Sequence, residues 1–219
     1  MKRTLFTIIA LLFTGYIFAQ TDTSGRSLYR ATPEKKTALK HTKLKVSFNF
    51  NNQTLSGEEW LTAAPYFYAT DSLILDAKAM LIHKVALDQN GKQRGLSYSY
   101  KNNLLKIKLN KTYQKDEVYT IYIRYTAQPE KITEKGSEAI TDAKGLYFIN
   151  PKGEADKPMR QVWTQGETEG SSCWFPTIDK PNQKTTQEIE ITVPESFVTL
   201  SNGLLKSSDK KGNMRTDYW

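Results

Sequence analysis

The chain has 219 residues, 38% hydrophobic and 25% charged, with a formal net charge of +8. That balance, with abundant Tyr, Phe, Ile and Thr, excludes a largely disordered chain, leans toward strands, and suits one all-β domain or a domain and a half. A single cysteine, Cys173, excludes an internal disulfide, and lysines scattered along strand-like runs read as a solvated surface and not as a nucleic-acid footprint.

Residues 1–19 place Lys2 and Arg3 ahead of an apolar run from Leu5 to Phe13, with the small Ala19 just before Gln20. This is the pattern of a cleaved export signal, so the mature chain is expected in the periplasm or outside the cell. Thr14 and Gly15 interrupt the run, which falls short of the roughly 20 apolar residues of a stable membrane span. Removing Lys2 and Arg3 leaves +8 − 2 = +6. Residues 20–40 are polar, Lys-rich and carry Pro33, which predicts a flexible arm, and the folded domain is expected over 41–219.

Period-two alternation then begins. In "KLKVSFNF", Leu44, Val46, Phe48 and Phe50 oppose Lys43, Lys45, Ser47 and Asn49, and "LLKIKLN" sets Leu105, Ile107 and Leu109 against Lys106 and Lys108. "EVYTIYIRY" carries Tyr119, Ile121, Ile123 and Tyr125 on one face and Val118 and Tyr122 on the other, as in a strand covered on both sides. Further strands are predicted at 54–62, 72–75, 81–87, 96–100, 187–193 and 198–201. Turn signals at "DQNGK", "KNN", "NKTYQKDE" and "SNG" separate these runs. Their short spacing predicts an all-β fold, an antiparallel meander folded into a saddle-like β-sandwich with few or no helices apart from the signal. Residues 128–160 read as a long surface connection containing one short apolar stretch, "GLYFIN". The ending "MRTDYW" reads as a strand cut short, a truncation.

The chain has only two histidines and no H-E-x-x-H. It is therefore not expected to bind a metal by itself. His83 alternates with Leu81 and Val85 and reads as a core-edge histidine, His41 as an exposed one. Cys173, between Ser172 and Trp174, reads as a small buried hydrophobe in preference to a reactive thiol.

One loop departs from the rest. Between Arg160 and Lys180 there is no cation, yet Glu167, Glu169 and Asp179 lie there among Gln165, Trp163, Trp174 and Cys173. Gln165 and Glu167 would project to one side of an extended backbone, and Gly166 between them would let a ligand approach the main chain. Such a pair can accept several hydrogen bonds from one ammonium group. On spacing alone, solvated loop acids and a turn glutamine remain the favoured alternative. Asp179, before Lys180 and Pro181, reads as a turn or cap residue.

The stretch from Gln161 to Gly203, "QVWTQGETEGSSCWFPTIDKPNQKTTQEIEITVPESFVTLSNG", with the preceding "IYIRYTAQP" and "GLYFI", resembles the N-terminal β-domain of the aminopeptidase N family of zinc metallopeptidases, in its exported bacterial branch. The resemblance runs from about Lys40 to the end, and its motifs are specific in combination. It implies a saddle-shaped domain lying over a catalytic domain of the same polypeptide, which carries the zinc, an H-E-x-x-H motif and a further zinc-ligating Glu. It implies that Gln165 and Glu167 hold the free α-amine of a peptide substrate, with Gly166 replacing the small side chain more usual between them. The catalytic domain is absent from these 219 residues, so the chain alone is expected to be inactive. The competing reading is a stand-alone exported β-sandwich that binds carbohydrate or protein through Trp163 and Trp174.

Overall fold

The computed structural model describes residues 34–133 and 142–219. Thirteen strands follow one another among them: β1 (Thr37–Asn49), β2 (Thr54–Pro65), β3 (Thr70–Asp76), β4 (Met80–Gln89), β5 (Lys92–Gly95), β6 (Tyr98–Lys101), β7 (Leu104–Tyr113), β8 (Tyr119–Ala127), β9 (Leu146–Ile149), β10 (Gln161–Thr164), β11 (Thr186–Pro194), β12 (Ser207–Lys211) and β13 (Met214–Tyr218). They form an eight-stranded sheet in the order β12-β13-β11-β1-β2-β8-β4-β5, a three-stranded sheet β3-β7-β6 and a two-stranded ribbon β10-β9. The helical content of the described residues is two single 3-10 turns, Pro129–Lys131 and Ser171–Cys173. The fold is all-β, and among the described residues no helix is long and apolar enough to cross a membrane.

Alternation sets the packing. Leu44 and Val46 of β1, Leu55 and Leu61 of β2, and Ile121 and Ile123 of β8 meet Leu73, Leu75, Leu105 and Ile107 from the three-stranded sheet in one buried cluster. Each such side chain contributes about 1.5–3 kcal/mol on burial. The outer face of the large sheet is covered at one place by aromatic side chains. Tyr122 of β8 packs on Trp60 of β2 with centroids 5.0 Å apart and donates a 2.8 Å hydrogen bond to Glu58. This accounts for the two-sided apolar pattern of β8.

Four features differ from the sequence expectations. The large sheet is not wholly antiparallel: β1 and β11 run parallel, from His41 opposite Thr186 to Ser47 opposite Thr192. Parallel neighbours need a long crossover, and the intervening chain supplies it. β1 also begins at Thr37, inside the stretch read as an arm, with Thr37, Ala38 and Leu39 buried. A bulge between Leu39 and His41 shifts the register there, so the alternation visible from Lys43 onward does not extend back through it. The signal at 1–19 and the arm as far as residue 33 lie outside the described residues.

The third difference concerns His83, which is exposed and hydrogen-bonds Thr126 at 2.8 Å. A bulge between Ile82 and Lys84 reverses the phase of β4, so Met80, Val85 and Leu87 are buried while Leu81 stands 50% exposed. Finally, residues 198–201 pair with nothing, whereas β5 and β12, exposed along their whole length, do pair. β5 exists because the 88–91 turn folds it back: Asn90 and Gly91 adopt φ of 54° and 83°, and the Gly91 amide donates to Asp88 Oδ1. β12 exists because β13 pairs with it.

Candidate functional site

The ribbon β9-β10 delivers the chain into the acidic loop. Trp163 of β10 stacks on Tyr147 of β9 with centroids 4.6 Å apart and planes 16° apart. Trp163 is 46% exposed, whereas Trp174 and Phe175 pack against the core. Of the three aromatics, only Trp163 is exposed, which narrows the aromatic surface that the competing carbohydrate- or protein-binding reading calls on.

Beyond Thr164 the backbone turns instead of continuing as a strand. The Gln165 amide donates to Gly145 O at 2.9 Å, and the Gly170 amide donates to Gly166 O at 2.9 Å. Two glycines that the resemblance did not single out as site residues make this turn possible. A Cβ on Gly145, whose φ is +67°, would lie 2.1 Å from Gly170 O, and one on Gly170 would lie 2.2 Å from Gln165 O. Gly166 is far less constrained, its nearest neighbour being the Ser171 hydroxyl at 3.3 Å. The rule that residues two apart share a side therefore does not apply to Gln165 and Glu167.

The far side of the loop is clamped to the end of β3. Asp76 and Thr177 exchange backbone hydrogen bonds at 2.7 and 2.9 Å, and the Lys78 amide donates to Ser172 O at 2.7 Å. The Asp179 carboxylate accepts from the Ser172 amide at 2.8 Å, satisfying a donor of the 3-10 turn, and its own amide donates to Asp76 Oδ2 at 3.0 Å. Asp179 thus satisfies the turn from outside it, Gly170 holding the N-cap position, and burial pushes its pKa up against the opposing pull of the Ser172 hydrogen bonds and of Lys78. Cys173 is fully buried, its thiol directed to Ala143 O at 3.4 Å.

Cations absent from the loop's own sequence reach it through the fold. Lys180 pairs with the Glu169 carboxylate at 2.5 Å, and Lys78 Nζ donates to Glu169 O at 3.0 Å. The Glu169 hydrogen bond holds the Lys180 pKa above its ordinary value. Glu167 is exposed and Gln165 half-buried, and neither side chain has a hydrogen bond or ion pair among the described residues. Asp76, Lys78, Gly145 and Gly170 are the positioning residues that sequence reasoning did not assign. The cluster of glycines around the loop was the one signal for them.

Among the described residues no group of three or more His, Cys, Asp or Glu could hold a metal. His41 faces Thr186 and Glu188, and His83 faces Thr126, on separate strands. The zinc implied by the resemblance finds no donor set here.

Residues 38–219 match the peptidase M1 N-terminal domain. Leukotriene A-4 hydrolase of Xenopus laevis is 28% identical over 178 residues, covering 80% of this chain and 27% of that protein. An M1 zinc metallopeptidase from Deinococcus radiodurans superposes with a TM-score of 0.70 at 16% identity, over 84% of this chain and 39% of its own. A variant of an M1 zinc metallopeptidase from that organism, bound to a Tyr-Ser-Ala substrate, gives 0.67 at 16% identity over 88% of this chain and 41% of its own. The chain thus spans well under half the length of these relatives. With nearly all of its described residues inside the match, it belongs to the peptidase M1 N-terminal domain family.

Proposed function

We propose that this chain is the substrate-anchoring N-terminal domain of an exported zinc aminopeptidase, in which Gln165 and Glu167 hold the free α-amine of a peptide. The observation that carries this reading is the charge state of the loop. Glu169 is paired with Lys180 and Asp179 is engaged by the Ser172 amide, while Glu167 stands exposed without a partner among the described residues. An ammonium group brought against Glu167 would meet a carboxylate that surrenders no internal bond in accepting it. Gln165, whose backbone amide donates to Gly145 O, would supply a second acceptor through its side-chain carbonyl. The zinc and the hydrolytic groups belong, in this reading, to the part of the parent protein outside the chain. Export rests on the signal-like residues 1–19.

Fixing the amine sets which peptide bond reaches the hydrolytic groups, which is the positional demand of an exopeptidase. The test is Glu167→Gln in the parent enzyme, with Glu169→Gln as control. A charged hydrogen bond contributes about 1.5–3 kcal/mol, so kcat/KM for aminoacyl substrates should fall roughly ten- to hundred-fold in the first variant. It should hold near wild type in the second, whose ion pair is a surface one. Zinc content should be equal in both. Near-wild-type activity in both variants would remove the amine-binding role from this loop.

A further inference from the structure

Four exposed large hydrophobic side chains fall between residues 198 and 205: Val198, Leu200, Leu204 and Leu205, at 92, 87, 72 and 49% exposure. Their segment is not loose. The Phe197 ring packs 5.3 Å from Phe50, and Arg215 Nη2 donates to Phe197 O at 2.7 Å. Thr199 Oγ1 donates to the buried Asp217 at 2.6 Å and accepts from Trp219 Nε1 at 3.0 Å. Phe197, Thr199 and Ser201 are partly covered while Val198 and Leu200 are exposed, the period of an extended strand. The sequence predicts a strand here as well.

Yet among the described residues no backbone hydrogen bond joins 198–205 to any other segment. The true edges of the large sheet, β5 and β12, are short and carry Lys92, Arg94, Lys210 and Lys211, the composition that discourages further pairing. Residues 198–205 have the opposite character: unpaired backbone, no charge, and apolar side chains held outward by a buried polar network.

We propose that residues 198–205 accept an apolar β-strand supplied by the part of the parent protein outside these 219 residues. This rests on the reading of the chain as one domain of a longer peptidase, of whose solved relatives it spans 39–41%. The strand would satisfy the free N–H and C=O groups by β-augmentation and lay apolar side chains on Val198 and Leu200. An uncharged partner follows from the absence of charge in the acceptor, since a buried unpaired ion would cost more than the contact gains.

Hydrogen–deuterium exchange compares the parent enzyme with the 219-residue chain. Alternate amides of 198–201 should exchange at least about 100-fold more slowly in the parent, because pairing along one edge protects every second N–H. In the parent, Val198→Asp with Leu200→Asp should raise exchange there and leave β7 unchanged. Amides that exchange as fast in the parent as in the chain, or protection without alternation, overturn the proposal. Peptidase activity of the same preparation separates the two readings. Activity with open amides rejects the strand and keeps the proposed function, and alternating protection without activity does the reverse.

Discussion

Glu59 offers a test of the fold's energetics that does not depend on the site. It lies in β2 between Leu44 of β1 and Ile123 of β8, fully buried, and neither carboxylate oxygen has a hydrogen-bond partner among the described residues. The Tyr125 hydroxyl is equally buried and equally unpartnered. Its ring occupies the space left by Gly57, where a Cβ would fall 2.2 Å from the Tyr125 Cζ. Burial pushes the Glu59 pKa well above its ordinary 4.5, and burial, with the Glu59 charge adding to it, pushes Tyr125 well above 10.0. The sheet accordingly holds Glu59 as a neutral acid. The unfolded chain releases that proton above its ordinary pKa and the folded chain keeps it. Stability associated with Glu59 is therefore whole below that value and is lost as pH rises toward the folded pKa, at about 1.4 kcal/mol per pH unit.

Glu59→Leu removes both the slope and the buried unsatisfied oxygens, which alone cost about 1–3 kcal/mol, so the variant should be more stable at pH 7 by at least that amount. Urea unfolding of the chain without residues 1–19 at pH 5, 6, 7 and 8 measures this, with the m-value checking that the exposed surface is unchanged. Wild type should lose stability relative to the variant as pH rises from 5. Parallel pH profiles, or a variant less stable than wild type at pH 7, would refute the reasoning.

Two further outcomes follow from the loop and from the acceptor segment. Gly145→Ala and Gly170→Ala should each destabilise the domain by about 1–3 kcal/mol, seen as a lower Tm, while Gly166→Ala should stay near wild type because its neighbour is a rotatable hydroxyl. For Asp217, burial alone would raise the pKa, but Arg215 and the Ser208 and Thr199 hydroxyls outweigh it and hold the value at about 2. The stability Asp217 supplies is thus present above its ordinary 3.8 and lost as pH falls through about 2. Asp217→Asn should cost at least about 1.5–3 kcal/mol at pH 7 in the same urea assay.

The strands with clean alternation were legible in the sequence because each has one face in the core: Leu44 and Val46 in β1, Leu105, Ile107 and Leu109 in β7, Tyr119 to Tyr125 in β8. What was not legible depends on partners far along the chain. β12, with no apolar residue, is a strand only because β13 pairs with it. The phase reversal at His83 needs the bulge against Tyr125 and Arg124, which no local pattern announces. Glu59 would be placed on the apolar face of β2 by alternation with Leu55, Gly57 and Leu61, but its lack of a partner appears only once β1 and β8 enclose it. The segment 198–201 is the converse case, where the local signal is that of a strand and the pairing edge lies open within the chain.

The acidic loop divides along the same line. Resemblance named Gln165 and Glu167 and passed over Glu169, two residues on and chemically identical to Glu167, without a physical reason for the difference. Tertiary structure supplies a physical difference between them: Lys180 pairs with the Glu169 carboxylate, Lys78 donates to the Glu169 carbonyl and Asp179 accepts from the Ser172 amide, while the Glu167 carboxylate has no partner among the described residues. That difference bears on the kind of ligand. A divalent cation would ask for three or more oxygen or nitrogen donors from the protein, and the described residues hold no such group. A monovalent ammonium, with three N–H donors, asks for one negative charge and a few neutral acceptors, which in the proposed reading Glu167 and the Gln165 side chain would supply. With Glu169 answered internally and Glu167 open, the loop would, in the proposed reading, offer one negative charge to a ligand with one positive charge.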